Sequence, residues 1–204
     1  MSVQIVKNNP ILIGLTGGIG SGKTTASQYF KSLNIPVIDC DEIVQELWKS
    51  NKQMKKEVES FFKFPIKTKE DRKKLANIIF NNKEKREQLN LIVHPFVYQE
   101  VEKQKRSLRE HKIIIIDMPL LIEVDYQRKV DYVVLIYVDF DMQVERLMNR
   151  DQISQNEAMK RIHSQMSLNK KRQYADYILD NGKTKEALCH QIDLFIEEMR
   201  NEEQ

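Results

Sequence analysis

Apolar and polar positions follow two regimes along the chain: short runs rich in Ile and Val, and longer stretches with apolar residues at helical spacing. Five runs read as strands: "ILIGLT" (Ile11 to Thr16), "IPVID" (Ile35 to Asp39), "KIIIID" (Lys112 to Asp117), "DYVVLIYV" (Asp131 to Val138) and "DYILD" (Asp176 to Asp180). Three are nearly continuous apolar runs, as expected of strands covered by helices on both faces. Between Asp41 and Glu110 no strand signal occurs, and "EIVQELW", "RKKLANIIF" and "VHPFVYQEVEKQKRSL" have helical periodicity. A second charged helical stretch runs from Val144 to Arg172, and "KEALCHQIDLFIEEM" supplies an amphipathic C-terminal helix. The alternation predicts an α/β fold with a parallel sheet and two helical excursions.

Composition narrows the class of protein. The 204 residues suit one domain, and 41% hydrophobic residues suffice for a core. A formal charge of +3, from 33 basic and 30 acidic residues, is too even to mark a nucleic-acid binder. The two cysteines, Cys40 and Cys189, have neither disulfide-framework nor metal-ligand spacing and are expected to be free thiols in a reducing compartment. The opening "MSVQIVKNNP" has no long apolar run and "ILIGL" is too short for a signal-peptide core or a membrane span. A cytoplasmic protein with no membrane or nucleic-acid partner is expected; the oligomeric state is open.

Glycine use changes the picture most. The chain has 6 glycines, and Gly14, Gly17, Gly18, Gly20 and Gly22 fall within "GLTGGIGSGKTT". Gly17 to Thr24 matches G-x-x-x-x-G-K-[ST], with a strand before it and a helical run after it. In such a phosphate loop, glycines let backbone N–H groups turn around phosphate oxygens, beside the positive end of the following helix. The nucleotide contacts expected are Gly18, Ile19, Gly20, Ser21, Gly22, Lys23, Thr24 and Thr25. Lys23 brings a mobile charge to the β- and γ-phosphates and Thr24 a hydroxyl to Mg²⁺, so ATP with Mg²⁺ is the expected cofactor set. No Asn-Lys-x-Asp guanine-reading motif is found; "DNGKTK" at Asp180 to Lys185 does not match.

Ligands of open parallel sheets collect at the carboxyl ends of strands, which makes Asp39, Asp41 and Asp117 candidates. Asp39, three residues before Glu42, also suits a helix cap, more readily than Asp41 does. Asp117 ends a run that resembles a Walker B strand and is expected to help hold Mg²⁺. Arg146 and Arg150 share a helix face and Arg161 follows. Each fits a solvated charged face, but arginines on a mobile segment also suit closure over phosphates, and Arg150 is the preferred candidate. "NKKRQYAD" (Asn169 to Asp176) reads as a contact for substrate phosphates or as plain solubility.

Across nearly the whole chain these segments resemble the dephospho-CoA kinase family. The carriers are "LTGGIGSGKTT", "IPVIDCDEIVQEL", "LNLIVHPFV", "DMPLLIE", "DYVVLIYVDFDMQVERLMNRD", "AMKRIHSQM" and "ADYILDNG". The resemblance implies a P-loop kinase with a five-stranded parallel sheet in the order 2-3-1-4-5. It also implies transfer from ATP to the ribose 3'-hydroxyl of 3'-dephospho-CoA. The expected layout is a nucleotide-binding core over 11–44, 111–143 and 173–204, a helical substrate subdomain over 45–110 and a lid over 144–172. Asp41 is the implied base, with Lys23 and Arg150 also catalytic. His94, Pro119 and Arg161 join Asp41 on the substrate side, and Asn181 lies in the adenine-side loop. Pro95 also suits a first helical residue, with His94 starting that helix. Cys40 stands where alanine is more usual between the aspartates, and "FFKFPIKTKEDRKKL" lacks the family's turn glycines. A P-loop kinase of a nucleoside, nucleotide or other small alcohol, or a nucleotide-dependent switch, is the alternative.

Overall fold

The structure, a computed structural model, describes residues 9–201. Most of the N-terminal stretch read above as lacking a targeting signal, and residues 202–204 of the expected core, lie outside the described residues. The chain divides into two compact units, one formed by residues up to Ile38 together with those from Leu108, the other by Asp39–Ser107.

The first unit is built on a five-stranded parallel sheet ordered β2-β3-β1-β4-β5. Its strands are β1 (Ile11–Gly17), β2 (Val37–Asp39), β3 (Ile113–Asp117), β4 (Tyr132–Tyr137) and β5 (Tyr177–Asp180). The order expected from the family resemblance is the order found. In the centre β1 pairs with both β3 and β4, so that Ile13 lies opposite Ile115 on one side and Tyr132 on the other. Every residue of β3 is buried, as its unbroken apolar run requires.

Strand β2 is shorter than the run "IPVID" suggests. Pro36 has no N–H to give to a ladder, and its carbonyl accepts from Ile115 N at 2.9 Å just ahead of the strand.

Helices α1 (Lys23–Ser32) and α9 (Lys185–Asn201) cover one face of the sheet. Ala26 and Phe30 of α1 and Leu188, Ile192, Phe195, Ile196 and Met199 of α9 join Ile13, Leu15, Ile115 and Val134 in the main core. The α9 residues recur at helical spacing, and each fully buried large side chain contributes roughly 1.5–3 kcal/mol.

The stretch read as Val144 to Arg172 divides into α6 (Phe140–Asp151), α7 (Gln155–His163) and α8 (Leu168–Lys171). Asp139 in extended conformation starts α6 directly after β4, four residues before the expected boundary. Gln152 in the left-handed region ends α6, and Ser154 caps α7 through Glu157 N at 3.3 Å.

The second unit contains α2 (Cys40–Ser50), α3 (Lys52–Phe62), α4 (Lys69–Asn81) and α5 (Lys83–Ser107). Thr68 and Asp71 form a reciprocal capping box at the start of α4. The turn that lacks glycines is made by Lys63, which takes φ 60 after α3. A non-glycine residue pays roughly 1–2 kcal/mol for that conformation. Leu89, Val93, Val97 and Val101 form the buried stripe of α5.

The expected helix start at Pro95 is not found; Pro95 and His94 lie inside α5. Proline removes the hydrogen bond to the carbonyl of Leu91, but both residues lie on the exposed face of the helix, where water can satisfy that carbonyl.

Candidate active site

The loop after β1 has the geometry of an anion cradle. Gly22 precedes α1 at φ 86, and no side chain caps the N-terminus of that helix. Its first-turn N–H groups and positive dipole end therefore face outward from Lys23 and Thr24. Gly20 also has positive φ, 78, and a Cβ there would come within 2.9 Å of the Gln143 carbonyl oxygen. At Gly22 a Cβ would meet Asn181 Nδ2 at 2.0 Å, so backbone conformation and space both require glycine.

Side chains from distant elements hold this loop. Ile19 N–H donates to Gln165 Oε1 at 3.1 Å, and Ile19 C=O accepts from Gln143 Nε2 at 2.8 Å. Asn181 Nδ2 donates to the carbonyl of Ser21 at 2.8 Å, while the Asn181 carbonyl accepts from Arg146 Nη2 at 2.9 Å.

Of the expected nucleotide contacts, Ile19 gives its N–H to Gln165, and Asn181 is buried with its amide nitrogen committed to the loop.

Lys23 Nζ forms an ion pair with Asp117, whose carboxylate is buried at the end of β3. The expected phosphate lysine and metal carboxylate are thus in direct contact. Thr24 is exposed in the first turn of α1, and Ser21 Oγ is buried without a hydrogen-bond partner. These hydroxyl and carboxylate oxygens suit Mg²⁺, a hard cation that takes few protein ligands and keeps phosphate and water oxygens. Among the described residues no three His, Cys, Asp or Glu side chains form a metal-holding group, in keeping with so sparse a ligand set.

Arg150 and Arg161 meet on Asp151: Arg150 Nε lies at 2.7 Å and Arg161 Nη1 at 2.9 Å from its carboxylate. Arg161 also pairs with Glu157 at 2.6 Å. The hydrogen bond from Arg150, followed by the two positive charges, holds the Asp151 carboxyl below the usual carboxylate range. Pro119 turns its carbonyl inward to Thr16 Oγ1 at 3.0 Å and Lys171 Nζ at 2.6 Å.

Lys171 is the largest surprise of the region. Its segment reads in sequence as a contact for substrate phosphates or as plain solubility, yet Lys171 is fully buried, bonded to Glu123 Oε2 at 2.9 Å and to Thr16 Oγ1 at 3.3 Å. Gln143, Gln165 and Lys171 carried no sequence signal for these roles, since their partners lie 124, 146 and 155 residues away. Glu123, Gln143 and Gln165 do lie within segments that carry the family resemblance, which marks them without assigning these contacts.

In the second unit Asp39 caps α2, its Oδ1 accepting from Asp41 N and Glu42 N, both at 3.0 Å. This is the cap expected of Asp39, and it leaves Asp41 exposed in the first turn of α2. Cys40 is buried between them. His94 is half-buried, 5.8 Å from the Tyr98 ring, and burial pushes its imidazole below the ordinary value.

The neutral form of His94 is therefore favoured in the folded chain, and its contribution is present above the ordinary pKa of 6.5 and lost as pH falls. Thermal midpoints of wild type and His94→Gln, followed from pH 8 to pH 5, should show a steeper fall below about pH 6.5 for wild type. Parallel curves would contradict that assignment.

Comparison with known proteins places these features in one family. The Dephospho-CoA kinase profile matches residues 11–186. A dephospho-CoA kinase of Bacillus cereus is 42% identical over 179 residues, 85% of this chain and 90% of the relative. Among solved structures, TT1252 from Thermus thermophilus superposes with TM-score 0.80 at 27% identity, covering 94% of this chain and 98% of the other. Dephospho-CoA kinase from Campylobacter jejuni superposes with TM-score 0.69, also at 27% identity, over 95% and 98%. Loop, sheet order and sequence agree, and the chain belongs to the dephospho-CoA kinase family.

Proposed function

We infer that the protein transfers the γ-phosphoryl group of ATP to the ribose 3'-hydroxyl of 3'-dephospho-CoA, giving ADP and coenzyme A. The observation that carries this reading is the Gly17–Thr24 cradle, with Lys23 seated on Asp117, in a chain matched to the family over residues 11–186. The family uses ATP with Mg²⁺.

When bound, Mg²⁺ supplies positive charge to the β- and γ-phosphate oxygens. The residues proposed to hold it are Thr24, through its hydroxyl, and Asp117. Gly18, Gly20, Ser21, Gly22, Lys23, Thr24 and Thr25 form the proposed phosphate site. Lys23 has two partners of opposite character: the buried Asp117 carboxylate fixes its ammonium near the loop, and phosphate oxygens are its proposed ligands. Asp117 thereby orients the lysine as well as contributing an oxygen.

Asp41 is the proposed base. Phosphoryl transfer to an alcohol requires an oriented acceptor oxygen and a group to take its proton. The commitment of Asp39 to backbone N–H groups favours Asp41, whose exposed carboxylate follows the carboxyl end of β2. His94, Arg161 and Pro119 are proposed on the substrate side, Pro119 through the backbone shape it fixes.

Arg150 and Arg161 share Asp151, a pairing that keeps the two guanidinium groups on one segment, proposed to close as the lid. The Arg150 side chain is the more exposed of the two, and ion pairs near the surface stabilise little. The cytoplasm is the proposed location. The absence of a disulfide at Cys40 and Cys189 supports it, and no helix among the described residues is long and apolar enough to cross a membrane.

The substrate assignment is tested with purified protein, Mg-ATP and a panel of alcohol acceptors, measuring ADP release and product mass. Dephospho-CoA should gain one phosphoryl group. If a nucleoside or nucleotide were phosphorylated instead, the reading would fail.

A further inference from the structure

We propose that Gln165 is a positioning residue for the phosphate loop, kept in place by the ion pair of the buried Lys171 with Glu123. This rests on the nucleotide-binding half of the function inferred above, and not on the identity of the acceptor.

The contacts close a ring. From Thr16, at the end of β1, the ring passes to Lys171 Nζ at 3.3 Å and to Glu123 Oε2 at 2.9 Å. Glu123 Oε1 then accepts from Met166 N at 3.1 Å, and the adjacent Gln165 accepts from Ile19 N at 3.1 Å, three residues beyond Thr16. The ring encloses the first arm of the loop, Thr16–Ile19.

Two physical points give the ring a function beyond packing. A phosphate loop works by aiming successive N–H groups at oxygen atoms, and rotating one peptide plane redirects the next N–H. Gln165 and Gln143 grip the two peptide planes that flank the Ile19 Cα, one through its N–H and the other through its carbonyl. The N–H of Gly20 belongs to the same plane as the Ile19 carbonyl, so both planes leading into the cradle are set from outside it.

The anchor is equally specific. Lys171 is fully buried, and burial lowers its pKa while the Glu123 carboxylate opposes that shift. A buried ammonium with three oxygen partners has a fixed position, and leaving one partner alone is costly. Glu123 transmits that position to the backbone of Met166, and so to Gln165.

Gln165 and Gln143 also line a cavity of about 420 Å³ together with Phe140, Ile162 and Leu168. Water can therefore replace a truncated Gln165 at Ile19 N–H, so its loss should alter loop geometry more than folding.

The test is calorimetric binding of Mg-ADP to the full chain, with thermal midpoints and separate KM values for ATP and acceptor. Gln165→Ala should weaken Mg-ADP binding roughly fivefold, the scale of one hydrogen bond, and raise KM for ATP but not for the acceptor. Lys171→Met should weaken Mg-ADP to a similar degree. The double variant should be no weaker than the weaker single, because both act through one chain of contacts. If Lys171→Met does not fold, Glu123→Gln replaces it with the same expectation.

Wild-type Mg-ADP affinity in Gln165→Ala would overturn the proposal. So would independent, multiplying effects in the double variant. Failure of dephospho-CoA to accept phosphate would leave these binding results untouched, so the two readings fail separately.

Discussion

Asp41→Asn is expected to lower turnover by about a thousandfold while leaving Mg-ATP affinity within about twofold of wild type. Amide and carboxylate have nearly the same shape, and Asp41 is exposed, so folding and helix α2 should survive the change. The amide cannot accept the proton from the acceptor hydroxyl, which leaves proximity and charge stabilisation as the remaining sources of rate. Asp39→Asn is the necessary control. Its Oδ1 caps α2 through two N–H groups, and asparagine is a comparable cap, so turnover should fall far less. Single-turnover rates with saturating ATP, together with calorimetric ATP binding, distinguish the two. Turnover near wild type in Asp41→Asn would remove it from the base position, and an equal loss in Asp39→Asn would reassign the role.

Lys23→Met should lower kcat/KM for ATP by about three orders of magnitude, since a lysine at the transferring phosphates stabilises charge that develops with the reaction. It should also cost stability. Asp117 is 2% exposed, and removing Lys23 takes the facing cation away from a buried carboxylate, a loss that runs to about 3–5 kcal/mol for deeply buried pairs. The double variant Lys23→Met with Asp117→Asn separates the two effects. Neutralising that carboxylate should recover most of the thermal midpoint and none of the activity. If stability returned together with turnover, the lysine would be a structural partner of Asp117 and not a phosphate ligand.

The sequence was most informative where local chemistry is dense. Nearly continuous apolar runs mark β1, β3 and β4, because a strand covered on both faces leaves few positions for a polar side chain. The cradle was legible because only glycine tolerates the backbone at Gly20 and Gly22, and the capping role of Asp39 because a cap is decided within three residues.

What stayed hidden depends on distance along the chain. The glutamines that hold the peptide planes of Ile19, one on α6 and one just after α7, look like any others in a polar stretch. Lys171 looked solvated because its neighbours Lys170 and Arg172 are charged and exposed, while its own partners arise from β1 and from the segment after β3. His94 and Pro95 misled for a related reason. Proline usually marks a helix start, and nothing local reveals that an exposed helix face will tolerate one in mid-helix.

The central position of β1 has a consequence for the order in which the nucleotide site matures. The phosphate loop is complete by Thr25, but its sheet neighbours start much later in the chain, at Ile113 and Tyr132. The groups that fix its shape come later still: Asp117, Gln143, Gln165 and finally Asn181. A nascent chain that stops short of residue 181 has the whole loop but lacks the amide that holds the Ser21 carbonyl. Nucleotide recognition therefore waits on residue 181, and the loop takes its working form only after partners far downstream have been made.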